Sequence, residues 1–475
     1  MIDFDRPEIQ EECGIFGVVA PGEDVARIAF FGIFSLQHRG QESAGIAVTD
    51  GDKIRMHRDM GLVTQVFQEE ALSALTGFMA IGHTRYSTTG SSILRNVQPM
   101  RCDCGFGEIA LAHNGDLINA ADLREEMEAQ GITFETTNDS EVIIRLIANS
   151  SAETLEDAIA EAMSKIRGAY AVLALTNDKL IAFRDPFGIR PLCVGTFNGG
   201  HYVVASETCA LNTIGANYVR EVEPGEMIVI SDSGLSERQA VPVCGSALCV
   251  FEYVYFARPD SQMYGKTIYE TRRRMGHELA KEHPVPGAHT VFPIPNTGTP
   301  AAIGFAEASR IPYSEGVIKN HYIHRTFIAP DQRMRDLGVR MKLTPLKETL
   351  AGRRVVMVDD SIVRGTTIGK QIKMIREAGA VEVHVRISSP PYRHPCFYGI
   401  DTANQNELIA AKMTVEEIRQ YIGADSLGYL SLAGLVRAIG VRKDKLCCAC
   451  LDGKYPVDIP KEAKLSKFVF EKPVG

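Results

Sequence analysis

The hydrophobic pattern of this chain changes near residue 250, and the change separates two kinds of fold. Before it, short apolar or alternating runs stand at 15–19, 45–49, 78–83, 109–113, 170–176, 180–184 and 201–206. Helical patterns at 24–37, 121–130, 140–148 and 154–166 lie among them. Strands and helices cluster here instead of alternating, which predicts a layered α+β arrangement. A turn at 222–226 leads into a closing strand at 227–230. After residue 250, strand-like runs at 289–294, 355–358 and 381–388 alternate with helical segments at 267–282, 301–309 and 368–378. That order predicts a parallel sheet built from crossover units. Segments 413–422 and 432–439 read as later helices, with Thr414 as a cap.

At 475 residues the chain exceeds one ordinary core, so two domains are expected, at 13–240 and 250–460. Hydrophobic content of 45% and charged content of 23% are those of a soluble globular protein. A net charge of −8 argues against nucleic acid as a partner. No apolar run reaches the ~18 residues of a membrane span. The first residues lack the basic and apolar regions of a secretory signal. The expected location is cytoplasmic, and there 11 cysteines point to thiols, catalysis or metal rather than a disulfide framework.

Cys13 follows an acidic leader, in Glu11-Glu12-Cys13-Gly14-Ile15-Phe16-Gly17. A thiol this near the start, before a buried strand, suggests a residue that becomes the first after loss of a propeptide, residues 1–12. Such a cysteine carries two catalytic groups: the thiolate attacks, and the freed α-amine, with an ordinary pKa of about 7.7–8.0, takes the thiol proton. Taken alone, Cys-Gly at a strand start is more often an ordinary small buried thiol.

Further strings carry chemistry: Gln37-His38-Arg39-Gly40-Gln41-Glu42-Ser43-Ala44-Gly45, then Gly82-His83-Thr84-Arg85-Tyr86-Ser87, then His113-Asn114-Gly115. Asn-Gly is a strong hairpin signal, so a turn presenting Asn114 is expected after strand 109–113. In Thr137-Asn138-Asp139-Ser140 a helix N-cap is one use for Asp139. Later, Val355-Val356-Met357-Val358-Asp359-Asp360-Ser361-Ile362-Val363-Arg364-Gly365-Thr366-Thr367 reads as a buried strand with two carboxylates at its end. Open α/β sheets bind ligands there. Adjacent carboxylates need hydroxyls, donors or a cation beside them. The loop 361–367, with Gly365 and two threonines ahead of a helix near Ile368, makes a cradle for a sugar 5-phosphate.

Cys13 and the first three strings resemble the glutaminase domain of the N-terminal-nucleophile amidotransferases. The thirteen-residue string resembles the diphosphate-sugar motif of type I phosphoribosyltransferases. In this order, from Cys13 to about residue 456, they resemble the glutamine phosphoribosylpyrophosphate amidotransferase family. The acidic leader and late cysteines resemble its iron–sulfur proenzyme subtype.

The resemblance implies a layered αββα glutaminase domain of two antiparallel sheets, followed by an α/β phosphoribosyltransferase domain on a parallel sheet. It implies an enzyme that makes 5-phosphoribosylamine from phosphoribosylpyrophosphate, glutamine and water, the first committed step of purine synthesis. Cys13 would be the nucleophile, with Asn114 and Gly115 as oxyanion donors. Arg85 would clamp the glutamine α-carboxylate, Asp139 its α-ammonium, and Arg39 would support Cys13. Phosphoribosylpyrophosphate would meet Asp359, Asp360, Ser361, Arg364, Gly365, Thr366, Thr367, Lys319 and Tyr322. Mg²⁺ would meet Thr297, Asp359 and Asp360. A [4Fe–4S] cluster would sit on Cys249, Cys396, Cys447 and Cys450, with Cys448 competing for the place of Cys447; four thiolates also suit zinc. Purine nucleotides would inhibit a dimer or tetramer.

The chain departs from that family at Asn296 and Gly298, where an acid and a hydroxyl are expected, and at His321 and His324, where Arg and Gly are expected. Lys319, Asn320, Tyr322 and Arg325 match a loop at 319–330 that closes over substrate. A glucosamine-6-phosphate synthase would share the first domain, but the string 355–367 stands against it. A non-catalytic regulator that binds phosphoribosylpyrophosphate would have no need of Cys13.

Overall fold

The computed structural model describes residues 13–87, 89–320, 343–402, 405–459 and 469–471. The propeptide expected at 1–12 lies outside the described residues, as do Tyr322, His321, His324 and Arg325.

Strand Gly14–Val19 forms because its residues are apolar or small and both faces find cover. Phe16 and Val18 point to a core shared with helices Val25–Ser35 and Thr208–Thr213. Ile15 and Val19 point the other way, into a core of Ala110, Ala112, Ala171 and Leu173. The period of two thus fixes the layers. Gly14–Val19 is the middle of a seven-stranded antiparallel sheet, in the order Asn217–Glu221, Cys193–Phe197, His201–Ala205, Gly14–Val19, Met79–Arg85, Ser43–Thr49, Ile54–Met60. Stacked on it is a six-stranded antiparallel sheet: Gly234–Gln239, Glu226–Ser231, Leu180–Arg184, Gly168–Leu175, Gly107–Leu117, Met100–Cys104. Helices Ala120–Ala129, Ser140–Ala148 and Leu155–Lys165 cover its outer face. The order of layers is helix, sheet, sheet, helix, as the resemblance implies.

Thr290–Pro293, Arg354–Asp359, Glu382–Ile387 and Ser426–Tyr429 form a four-stranded sheet, every neighbour parallel. Val356 and Val358 pack into one core and Val355 and Met357 into another, so the central strand is covered on both sides. Helix Val415–Ile422 starts at Thr414, whose hydroxyl accepts from Glu417 N while Glu417 caps Thr414 N in return. Segment 413–422 is thus a helix capped at Thr414, as expected, and a separate short turn, Ile409–Lys412, ends before the cap.

Six strands of the three larger sheets are absent from the reading by pattern: Ile54–Met60, Met100–Cys104, Cys193–Phe197, Asn217–Glu221, Gly234–Gln239 and Ser426–Tyr429. Five of the six are sheet edges, where charged residues interrupt the apolar alternation, and the sixth, Cys193–Phe197, lies next to one.

Candidate functional site

Cys13 directly precedes its strand and is buried. Its Sγ lies 3.3 Å from the Tyr86 carbonyl, and Arg39 Nε donates to the Cys13 carbonyl at 3.1 Å. Burial pushes the thiol up to about 11, against the pull of the Tyr86 contact and of Arg85. Near neutral pH this sulfur needs a proton acceptor to become a nucleophile.

The antiparallel pairing of Gly14 with Thr84 places Arg85 beside Cys13. The Arg85 guanidinium is 1% exposed and donates to Thr89 O at 3.1 Å and Ser91 O at 3.2 Å. Asp139 holds the N-cap position of Ser140–Ala148, but its side chain makes no capping bond; Asn138 Oδ1 accepts from Ser140 N at 3.0 Å instead. The Asp139 carboxylate accepts from Leu117 N at 3.1 Å and lies 3.9 Å from His113 Nδ1. Capping does not account for Asp139.

The expected turn at His113-Asn114-Gly115 is not there. All three lie within strand Gly107–Leu117, with Asn114 opposite Ala171 and Gly115 opposite Tyr170. The neighbouring strand continues past them, so the sheet overrides the turn signal. Gly115 retains the trace of that signal in its φ of +146°, and a Cβ there would meet Ala169 O at 1.9 Å. Asn114 is 1% exposed, and among the described residues neither its Oδ1 nor its Nδ2 has a hydrogen-bond partner. A buried amide without partners is costly, and a ligand atom repays that cost.

One residue here escapes the sequence reading. Asp116 accepts from Thr89 Oγ1 at 2.7 Å, and burial with the nearby charge of Asp139 pushes it well above the carboxylate range. Its place directly after Gly115 was the available signal. His83 is neutral: burial pulls it down to about 3.

The second site lies at the carboxyl end of Arg354–Asp359. Asp360 N donates to Asp359 Oδ1 at 2.9 Å, Ser361 Oγ donates to Asp360 Oδ1 at 2.6 Å, and Thr297 Oγ1 donates to Asp360 Oδ2. The fold thus joins Thr297 to the Asp pair. Burial pushes Asp360 up, opposed by these bonds and by the charge of Arg272. Arg272, fully buried, donates to the carbonyls of Tyr253 and Ala257, both at 2.8 Å; the sequence reading missed it. Gly298 lies against the strand end, where a Cβ would meet Val358 O at 2.7 Å.

Helix Thr366–Glu377 starts two residues earlier than its pattern suggests. Gly365 is its N-cap at φ +76°, so Thr366 and Thr367 are its first residues and their N–H groups are among the unpaired donors of a helix start. Arg364 Nε lies 3.0 Å from Glu407 Oε2, an exposed ion pair. Lys319 ends the short strand Val317–Lys319, antiparallel to Leu343–Pro345.

Cys249, Cys396, Cys447 and Cys450 line one cavity with Arg190, Tyr398 and Tyr455. The strand Leu248–Cys249 runs parallel to Leu446–Cys447, which sets Cys249 opposite Cys447. Cys448 is buried but does not line this cavity; its charged neighbours are Asp452 and Lys443. Among the described residues no three His, Cys, Asp or Glu side chains converge as a single-ion site.

A buried ionic cluster connects the two halves. Arg39 meets Glu207 at 2.6 Å and Glu252 at 2.7 Å, with all three side chains fully buried. Ser261 Oγ and Arg258 N also donate to Glu207, at 2.6 and 2.9 Å.

An αββα layer fold with a buried thiol at its first strand, joined to a parallel sheet with an acidic pair at its strand end, defines a glutamine amidotransferase fused to a phosphoribosyltransferase. Residues 83–213 match the glutamine amidotransferase domain family. The chain is 52% identical over 472 residues to the amidophosphoribosyltransferase of Synechococcus elongatus, covering 98% of this chain and 95% of the relative. A solved structure of the allosteric regulatory enzyme of purine biosynthesis superposes with a TM-score of 0.92 at 48% identity, covering 96% of this chain and 99% of that one. The glutamine phosphoribosylpyrophosphate amidotransferase of B. subtilis, complexed with ADP and GMP, gives 0.91 at 49% identity, covering 95% and 99%. This chain belongs to the amidophosphoribosyltransferase family. It transfers the amide nitrogen of glutamine to phosphoribosylpyrophosphate, forming 5-phosphoribosylamine, glutamate and pyrophosphate, at the start of purine synthesis.

Proposed function

We propose that residues 1–12 are removed and that Cys13 then works as an N-terminal nucleophile. The observations that carry this are the buried thiol with its proton held up to about 11 and, on the stacked sheet, an Asn114 amide without partners. The freed α-amine is the proton acceptor that such a thiol needs. Asn114 Nδ2 and Gly115 N–H stabilise the oxyanion, each such donor being worth ~3–4 kcal/mol. Arg85 and Asp139 hold the two charged ends of glutamine. N-terminal sequencing and mass measurement of active enzyme test this: an intact leader in fully active protein overturns it.

Ammonia then passes inside the protein to the second site. Gly365, Thr366 and Thr367 hold the 5-phosphate at the helix start, with Ser361 and Arg364 alongside. Asp359 and Asp360 hold the ribose, while Lys319 and Tyr322 contact the pyrophosphate. Thr297 with the Asp pair offers the hard oxygen donors that Mg²⁺ prefers; when bound, Mg²⁺ neutralises charge on the departing pyrophosphate.

Cys249, Cys396, Cys447 and Cys450 would hold a [4Fe–4S] cluster with a structural role, since the reaction moves no electron. Their common cavity supports this, and Cys447 rather than Cys448 lines it. Four thiolates suit zinc as well as an iron–sulfur cluster. Iron, sulfide and zinc analysis decides: stoichiometric zinc without iron overturns the cluster. The ADP and GMP held by the B. subtilis relative support inhibition by purine nucleotides; the enzyme works in the cytoplasm as a homo-oligomer, a dimer or tetramer.

A further inference from the structure

The last described residues, 469–471, reach back to the glutamine site. Glu471 Oε1 accepts from Ser91 N at 3.0 Å, from Ser91 Oγ at 2.7 Å and from Thr137 Oγ1 at 2.8 Å. Arg95 Nη2 lies 3.8 Å from its other oxygen. Phe470 packs against the helix-side core under the Arg124 guanidinium, 4.9 Å from the ring centroid.

Ser91 also serves the proposed glutamine clamp. Its carbonyl accepts from Arg85 Nη1 at 3.2 Å and from Asn96 Nδ2 at 2.8 Å. Asn96 Nδ2 in turn donates to Thr137 Oγ1 at 2.8 Å, and Asn96 Oδ1 accepts from Thr137 N at 3.0 Å. Glu471 therefore sits where two loops meet. One carries the carbonyls that orient Arg85; the other ends at Asp139. A carboxylate receiving an N–H and two hydroxyls is a charge-assisted anchor, weaker than a buried one because the side chain is 24% exposed.

We propose that Phe470 and Glu471 form a strap that fixes the loop at 89–97, so that Glu471 is a positioning residue for glutamine binding by Arg85. The proposal rests on the reading of Arg85 as the carboxylate clamp. The strap touches the glutaminase half and should alter glutamine affinity without altering synthesis from ammonia.

The test compares four variants of the full enzyme: Glu471→Ala, Glu471→Gln, deletion of 469–475, and Arg85→Ala. Glutamine KM and kcat, the ammonia-dependent rate and the thermal midpoint are measured for each. Glu471→Ala and the deletion should raise the glutamine KM about fivefold to tenfold, with kcat and the ammonia-dependent rate unchanged; the midpoint should hold in Glu471→Ala and fall in the deletion, which also removes Phe470 from the core. Glu471→Gln, which still accepts hydroxyl bonds, should restore part of the affinity. An unchanged KM in both Glu471→Ala and the deletion, while Arg85→Ala raises it, overturns the strap alone. A glutamine KM untouched by Arg85→Ala overturns the Arg85 reading and the strap with it. Equal loss of glutamine- and ammonia-dependent rates shows a merely structural tail and also overturns the strap.

Discussion

Arg39 joins the nucleophile to the other half of the chain. Its Nε holds the Cys13 carbonyl while its terminal nitrogens meet Glu207 and Glu252. Cys13 itself belongs to one half only, so Cys13→Ala should abolish glutamine-dependent synthesis and spare synthesis from ammonia. Parallel assays with the two nitrogen sources check this; equal loss of both counts against separate sites. Asp360→Asn should lower both rates about a hundredfold or more, since it removes a charge where the ribose and Mg²⁺ are proposed to bind. An unchanged ammonia-dependent rate would show the strand-end assignment to be wrong. Cys13 and the Asp pair were legible because each sits in a local string whose residue types suit one chemistry. Asp116, Arg272 and Glu252 were not: a single charged residue looks solvent-facing until tertiary packing buries it against a partner. Glu471 lay in a tail whose charge pattern says nothing of Ser91, 380 residues earlier.

At the scale of elements, the central strands were legible and the edges were not. Leu180–Arg184 appears with its expected bounds because it is buried throughout, and Ser140–Ala148 because its apolar residues keep a helical spacing. Ile54–Met60, with two arginines, a histidine and an aspartate among seven residues, lies at a sheet edge and hides. The Asn-Gly signal misled because a neighbouring strand pairs through it. Gly115→Ala tests that element: a side chain at φ +146°, aimed at Ala169 O, should destabilise by about 3 kcal/mol or more and remove glutaminase activity. Thermal unfolding and glutamine assays check it, and a wild-type midpoint with full activity would mean the strand yields there.

The whole molecule is held by buried charge as well as by apolar cores. Burial opposes ionisation of Glu207, but His38, Arg39 and the Ser261 hydroxyl outweigh it and hold the carboxyl below its ordinary value of 4.5. With the folded value depressed, this stabilisation is complete above about pH 4.5 and is lost as pH falls toward the folded value. The thermal midpoint should therefore drop on acidification below that value. Glu207→Gln should flatten the acid limb while costing about 3–5 kcal/mol at neutral pH, because it leaves Arg39 with one buried partner fewer. Parallel acid limbs in the two proteins would show that Glu207 is not the group titrating.

The pairing of Leu248–Cys249 with Leu446–Cys447 also bears on how the chain is made. At roughly 5–20 residues per second, a ribosome that has just placed Cys249 needs on the order of 10–40 seconds more to reach Cys447. During that interval the first half has its own sheets, but the short strand at the junction has no neighbour to bond. The growing polypeptide therefore carries an open edge and an unfinished cavity until Cys447 has been made and has emerged. Proteolysis of ribosome-stalled chains should cut near residue 248 when synthesis stops at 440, and the released chain should lose that site.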